Sequence, residues 1–218
     1  MHETPPLSPN CRPIASSRRE ARRQSRREAI LDVAAQSFLE HGYAGTTMSA
    51  IAATLGGSKG TLWSYFASKE VLFAAVIDRV TQAFRAQLSL ILNPRDGVEA
   101  ALRRFCTEFL RKVTSPEAIA LHRLVVGETN RFPEIGRIFY ERAPRLTQEL
   151  LAGFLADAMK HGTLCLTDPL ISARQLIALC MAGGHQQMLM GIIDAIPPAA
   201  IEIEVDRAMK TFMRAHAV

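Results

Sequence analysis

The residues best suited to chemistry sit close together, between Thr46 and Glu70, in the run TTMSAIAATLGGSKGTLWSYFASKE. Two short apolar patterns, Met48, Ile51, Ala52 and Leu55, then Leu62 and Phe66, are separated by Gly56-Gly57. The run therefore reads as two short helices joined by a glycine-containing turn. The small Ala52 and Ala53 allow the two helices to cross closely. With Leu62 and Phe66 turned inward one helical turn apart, the second helix presents Ser58, Lys59, Gly60, Thr61, Ser64 and Tyr65 outward. Hydroxyls can reach base edges or phosphates, lysine neutralises phosphate, and a helix N-terminus favours anionic oxygen. Such a face suits a DNA major groove. The same pattern also describes a helical hairpin whose polar face has no partner.

A second concentration of chemistry is electrostatic. The formal net charge of the 218-residue chain is only +5, yet between Cys11 and Arg27 seven arginines, Arg12, Arg18, Arg19, Arg22, Arg23, Arg26 and Arg27, stand against the single acid Glu20. The rest of the chain is nearly neutral, and a cationic segment on a neutral body points to a polyanionic partner, nucleic acid or an acidic membrane surface. Cys11, Cys106, Cys165 and Cys180 are widely spaced and form no CxxC pair, which argues for ordinary reduced thiols over a zinc or disulfide framework, with redox sensing as the alternative. The six histidines show no HExxH or other metal spacing, and no paired ExxH, GxSxG or phosphate-cradling glycine loop is present. No metal, no cofactor and no enzymatic activity are expected.

The elements that must position these groups are helical throughout. Pro5, Pro6, Pro9 and Pro13 mark a disordered leader. Ile30, Ala34 and Phe38 form one stripe of a first helix that His41-Gly42 ends. Thr46 to Ser49 offers hydroxyl caps for the second helix, Ser58 for the third, and Ser68 with Glu70 for a fourth that runs to about Leu92. Further spans are expected at about 95–113, 116–129, 133–161, 169–192 and 199–216, with Pro144 kinking or dividing the third of these. No strand-like alternation, fixed-period repeat, signal peptide or membrane-length apolar run is present, so a cytoplasmic all-α protein that does not enter membranes is expected.

Beyond this physical reading, Ile51-Ala52, Gly57 to Trp63, Tyr65-Phe66 and Ser68 to Leu72, with Phe38, Gly42-Tyr43 and Thr46-Thr47 ahead of them, resemble the signature of the TetR/AcrR-type bacterial regulators over about 45 residues. Gly57 departs from the branched apolar residue usual there, and Trp63 from the more frequent tyrosine. The resemblance implies a three-helix DNA-binding head, a fourth linking helix and a larger helical domain for ligand binding and dimerisation, about nine helices in all. It implies DNA contacts by Thr47, Ser58, Lys59, Gly60, Thr61, Trp63, Ser64, Tyr65 and Lys69, the last as a phosphate ligand. Leu121 to Val125, Gly127-Glu128, Arg131 to Glu134 and Phe139-Tyr140 are similar to the AefR-like repressors.

The expected division is a disordered Arg-rich arm over 1–22, a helix-turn-helix domain over 23–70 and an effector-binding and dimerisation domain over 71–218. The arm can lie along phosphates or enter an adjacent minor groove, or stay idle. Phe105, Phe109, Leu124, Met181, His185 and Met188 are candidate ligand contacts, each equally readable as ordinary core. His122 and His185 read first as satisfied core or interface histidines. Gly183-Gly184 inside a helix costs about 1 kcal/mol per glycine relative to alanine, which close helix approach at a dimer interface, or room for a ligand, would offset. The implied partners are palindromic double-stranded DNA, a second copy paired through the last two helices, and a small apolar or amphipathic effector. A repressor released by that effector is the leading expectation; a purely electrostatic binder of nucleic acid or membranes is the competing class.

Overall fold

The computed structural model describes residues 14–56, 59–93 and 97–218, and among these it contains eleven helices and no strand. Helix α1 spans Ile14–Gly45, α2 Met48–Thr54, α3 Lys59–Tyr65 and α4 Lys69–Ile91. Then follow α5 (Val98–Val113), α6 (Pro116–Glu128), α7 (Pro133–Arg142), α8 (Pro144–Lys160), α9 (Pro169–Met181), α10 (Gly184–Leu189) and α11 (Pro198–His216). Five of them open on proline, whose missing N–H costs nothing in a first turn. Pro144 divides the expected 133–161 span, and the chain breaks again at Ala182-Gly183, so the helices exceed the nine expected.

The arginine-rich segment is corrected by the structure. Helix α1 begins at Ile14, so residues 14–22, with Arg18, Arg19 and Arg22, lie on a helix instead of in a disordered arm, and Arg23, Arg26 and Arg27 continue it. The last proline of the leader is Pro13, and the arginines, Ala21 and Gln24 beyond it are good helix formers. Gln24 adds a side-chain hydrogen bond to Glu28 one turn on. The expectation for residues 1–13 lies outside the described residues.

Two buried clusters organise the molecule. The first joins Ile30, Phe38 and Tyr43 of α1 to Ile51 of α2, Leu62 of α3 and Phe73 and Ile77 of α4, and it also takes in Val125 of α6 and Ile135 of α7. The second fills the space between α5, α8, α9 and α11 with Phe105, Leu155, Leu176 and Phe212. Each buried ring or branched side chain stabilises by roughly 1.5–3 kcal/mol. Because α6 and α7 contribute to the first cluster, the head is completed by residues far beyond position 70.

Candidate nucleic-acid interface and internal cavity

The head is assembled from its caps inward. Thr47 caps α2, accepting from Ala50 N–H at 3.1 Å, and Ser68 caps α4 by accepting from Val71 N–H at 3.2 Å. Thr46, unlike its neighbour, is buried; its hydroxyl donates within the α1–α2 turn, where the Ser37 and Gly42 carbonyls lie at 2.9 and 2.8 Å. Ile51, Ala52, Leu62 and Phe66 are buried, which fixes the outward face of α3. Thr47, Gly60, Thr61, Trp63 and Ser64 are exposed and Tyr65 half-buried on that side of the head. Lys59 opens α3, and Ser58 lies outside the described residues. The Ser64 hydroxyl donates to the Thr61 carbonyl at 2.7 Å.

Lys69, expected as a phosphate ligand, also has partners within the chain. Its ammonium donates to the carbonyls of Tyr43 (2.8 Å) and Thr46 (3.1 Å) and lies 4.1 Å from the centre of the Tyr43 ring. It neutralises the carbonyl end of α1 and holds the turn that presents Thr47. This is a positioning role, fixed by a contact across 26 residues that spacing does not reveal.

The same turn is gripped from the opposite side. Gly42 takes φ +72°, a left-handed conformation that glycine adopts without steric cost. Glu128, the last residue of α6, accepts from Tyr43 N–H through Oε1 and from Ala44 N–H through Oε2, both at 2.7 Å. A Cβ at Gly42 would stand 2.5 Å from Oε1. Tyr43 packs edge-on against Phe73 and Phe132, with ring centres 5.4 and 5.2 Å away, and its hydroxyl donates to Glu70 at 3.2 Å. Burial, then the Glu70 charge, pushes the phenol pKa well above its ordinary value.

Glu128 matters because α6 also walls a cavity. A space of about 380 Å³ lies where α1, α4, α5, α6, α7, α8 and α9 converge, within the usual size range of small-molecule sites. Of the expected ligand contacts, Phe109, Met181 and His185 line it. Phe105, Leu124 and Met188 do not. Phe105 stacks behind Phe109 with ring centres 5.8 Å apart, Leu124 packs on the head cluster, and the Met188 carbonyl accepts from Arg123.

The cavity also brings together residues that spacing did not single out as ligand contacts: Phe38 from α1, Phe84 and Arg85 from α4, Lys112 from α5 and Phe139 from α7. His122 and His185 face each other on its wall, 5.5 Å between ring centres. Burial, then the neighbouring His122, pushes the His185 pKa down to about 4, and burial also lowers that of His122. His185 is 2% exposed and its Nδ1 has no hydrogen-bond partner among the described residues. The expected satisfied histidine is therefore left with an unused nitrogen. Its only visible signal in the sequence was a polar residue within apolar patterning.

Gly183 and Gly184 are explained inside the chain. The Gly184 N–H donates to Glu204 Oε1 of α11 at 2.8 Å, and added Cβ atoms would meet Glu204 Oε1 at 2.6 Å and Ile196 Cδ1 at 2.4 Å. Among the described residues no helix is long and apolar enough to cross a membrane.

Comparison with known proteins agrees with this architecture. Residues 100–218 match the model of the AefR-like transcriptional repressor C-terminal domain, and residues 30–76 that of the bacterial regulatory proteins of the tetR family. The chain belongs to the TetR family. It is similar to the flavonoid-responsive regulator FrrA, whose structure superposes with a TM-score of 0.79 at 33% identity over 89% of this chain and 98% of that one. It is also 28% identical to the transcriptional regulator RutR of Escherichia coli K12 over 83% of this chain and 82% of RutR. With the transcriptional repressor ComR of the same organism it shares 29% identity over 63% of this chain and 67% of ComR. This TetR-family chain is a DNA-binding transcriptional regulator. Its cavity wall and its head meet at Glu128.

Proposed function

We propose that this TetR-family regulator is a repressor that leaves its operator when a small apolar or amphipathic effector occupies the cavity between α4 and α9. The observation that carries this reading is α6, which lines the cavity with Leu121 and His122 and holds the α1–α2 turn through Glu128. An effector that binds better to a cavity with α6 displaced shifts the population toward heads misaligned for DNA. Five phenylalanines on the wall favour a ring system. The neutral His185, with Nδ1 unpartnered, favours a hydroxyl on that ring. The flavonoid responsiveness of the similar FrrA agrees with that chemistry.

DNA contact is assigned to Thr47, Ser58, Lys59, Gly60, Thr61, Trp63, Ser64, Tyr65 and Lys69, the last also holding the turn. Pairing of two copies is assigned to the last helices, where Ile171, Met190, Ile192 and Ile203 are exposed. A two-fold dimer matches a palindromic site. The regulator works in the cytoplasm, where its DNA is.

The test is a titration with the DNA upstream of the protein's own gene and with a scrambled duplex, repeated with a flavonoid present. Preference for the native fragment by about a thousandfold, relieved by the flavonoid in wild type and less in His185→Phe, supports the reading. Equal binding to both duplexes at every salt concentration overturns it.

A further inference from the structure

The arginine segment of α1 is a charge-sorted helix fixed against the head. At 3.6 residues per turn, Arg18, Arg19, Arg22, Arg23, Arg26 and Arg27 all fall within one half of the circumference. Glu20, Gln24 and Glu28 form a row on the other half. The arginine half is the one that meets the helix-turn-helix. Arg26 donates to the Leu55 carbonyl, the C-cap of α2, at 3.3 Å. The Arg27 guanidinium lies 5.4 Å from the Phe66 ring centre and that of Arg23 5.9 Å from the Tyr65 ring centre, at the end of α3. Arg18, Arg19, Arg22 and Arg23 are exposed and form no ion pair among the described residues.

We infer that this half-helix is a backbone clamp, in which Arg18, Arg19, Arg22 and Arg23 neutralise phosphates flanking the groove that α3 enters. The inference rests on the DNA-binding reading of α3 and extends it to a surface outside the helix-turn-helix. The geometry keeps the body of the helix out of the minor groove and along the backbone. An α-helix with its side chains is about 10–12 Å across, and the B-DNA minor groove is only about 6 Å wide. A disordered arm could thread that groove, whereas a helix pinned by Arg23, Arg26 and Arg27 cannot. From Arg18 to Arg27 the helix advances about 13 Å, long enough for its arginines to reach several phosphates. The Tyr65 ring, itself on the DNA side of α3, joins the two surfaces through Arg23.

Phosphate contacts carry no sequence information, so the clamp adds affinity that falls with salt and leaves preference unchanged. The test compares full-length wild type with Arg18→Ala/Arg19→Ala/Arg22→Ala and with the same three positions changed to lysine. None of the three arginines touches the head, and alanine keeps the helix, which far-UV circular dichroism checks. Affinity is measured against salt on a random-sequence 40-base-pair duplex and on the upstream fragment. Each lost phosphate contact lowers the slope of log K against log salt by about 0.9, so the alanine variant should lose about 2 to 3 from the slope per bound chain on both duplexes. The lysine variant should keep it.

An unchanged slope in the alanine variant overturns the clamp, as does a changed preference between duplexes at constant slope. So does arginine-dependent binding to phosphatidylglycerol vesicles with no effect on DNA. A lower slope with no preference for the upstream fragment in wild type keeps the clamp and defeats the operator reading instead.

Discussion

Two places in the molecule use one device, a glycine whose neighbouring backbone is held by a carboxylate from a distant helix. At Gly42 the carboxylate is Glu128, and both its oxygens are used, each 2.7 Å from an amide nitrogen. At Gly184 it is Glu204, where Oε1 accepts from the amide and Oε2 is buried without a partner among the described residues. The first arrangement is saturated and closes on a backbone that only glycine adopts easily. The second is half-used, and it adjoins His185, which has its own unpartnered nitrogen. The difference teaches where the fold holds firm and where it keeps polar capacity in reserve: at the DNA head the backbone is locked, and beside the cavity it is not.

The largest expected effect comes from breaking the saturated side. Glu128→Ala removes two charge-assisted hydrogen bonds, each contributing about 1.5–3 kcal/mol, so urea denaturation should show a loss of about 4 kcal/mol with weakened DNA binding. Stability within 1 kcal/mol of wild type would mean that water replaces the carboxylate and that the lock is not one.

Gly42→Ala should cost about 3 kcal/mol, combining left-handed strain with expulsion of Glu128. In a double-mutant cycle with Glu128→Ala the two losses should fall short of additivity by about 1 kcal/mol or more. Gly184→Ala offers the contrast, because the atoms it meets are side-chain atoms, Ile196 Cδ1 and Cγ1 and Glu204 Oε1, at a backbone without a positive φ, and the cost should stay at about 1–2 kcal/mol, below that of Gly42→Ala.

The pH response sharpens the other side of the comparison. A folded-state His185 pKa near 4 lies below the unfolded value, so the unfolded chain binds the proton more readily. Stability from this group is complete near neutrality and is lost as pH falls from about 6.5 toward 4, by about 2 kcal/mol between pH 6.5 and 4.5. Thermal melts of wild type and His185→Phe across that window should diverge, and parallel curves would contradict the assignment. The smallest effect is expected for Glu204→Gln, under about 1 kcal/mol, since the amide oxygen still accepts from Gly184 N–H while a buried charge is removed. A larger loss would show that Glu204 is as saturated as Glu128.

What could be read from sequence follows contact range. The helix-turn-helix was legible because caps, turn and anchors fall within 25 consecutive residues, and prolines announced five helix starts. Pro144 was legible as a break, whereas Ala182-Gly183 was not, since a glycine pair inside a helix can be tolerated or can end it depending on what stands nearby. The start of the arginine helix was set too late because a charge run beside a proline-rich leader looks disordered until the helix is seen anchored on Leu55 and Phe66. Half of the expected ligand contacts fall outside the cavity for a similar reason. Phe105 and Phe109 lie one turn apart on α5, and which of them meets open space is decided by α6 and α9 packing over them. Lys69 and Glu128 act across 26 and 85 residues, a reach that no local pattern encodes.

The grip of Glu128 on the first turn of the head has a consequence for modularity. A reading head cut at residue 70 and grafted onto another sensor would arrive with two bare amides at Tyr43 and Ala44 and without Val125 and Ile135 from its own cluster. A working chimera of this chain therefore has its seam beyond α7, or carries a matching acid in the new host. The unit that recombination can exchange is larger than the unit that touches DNA.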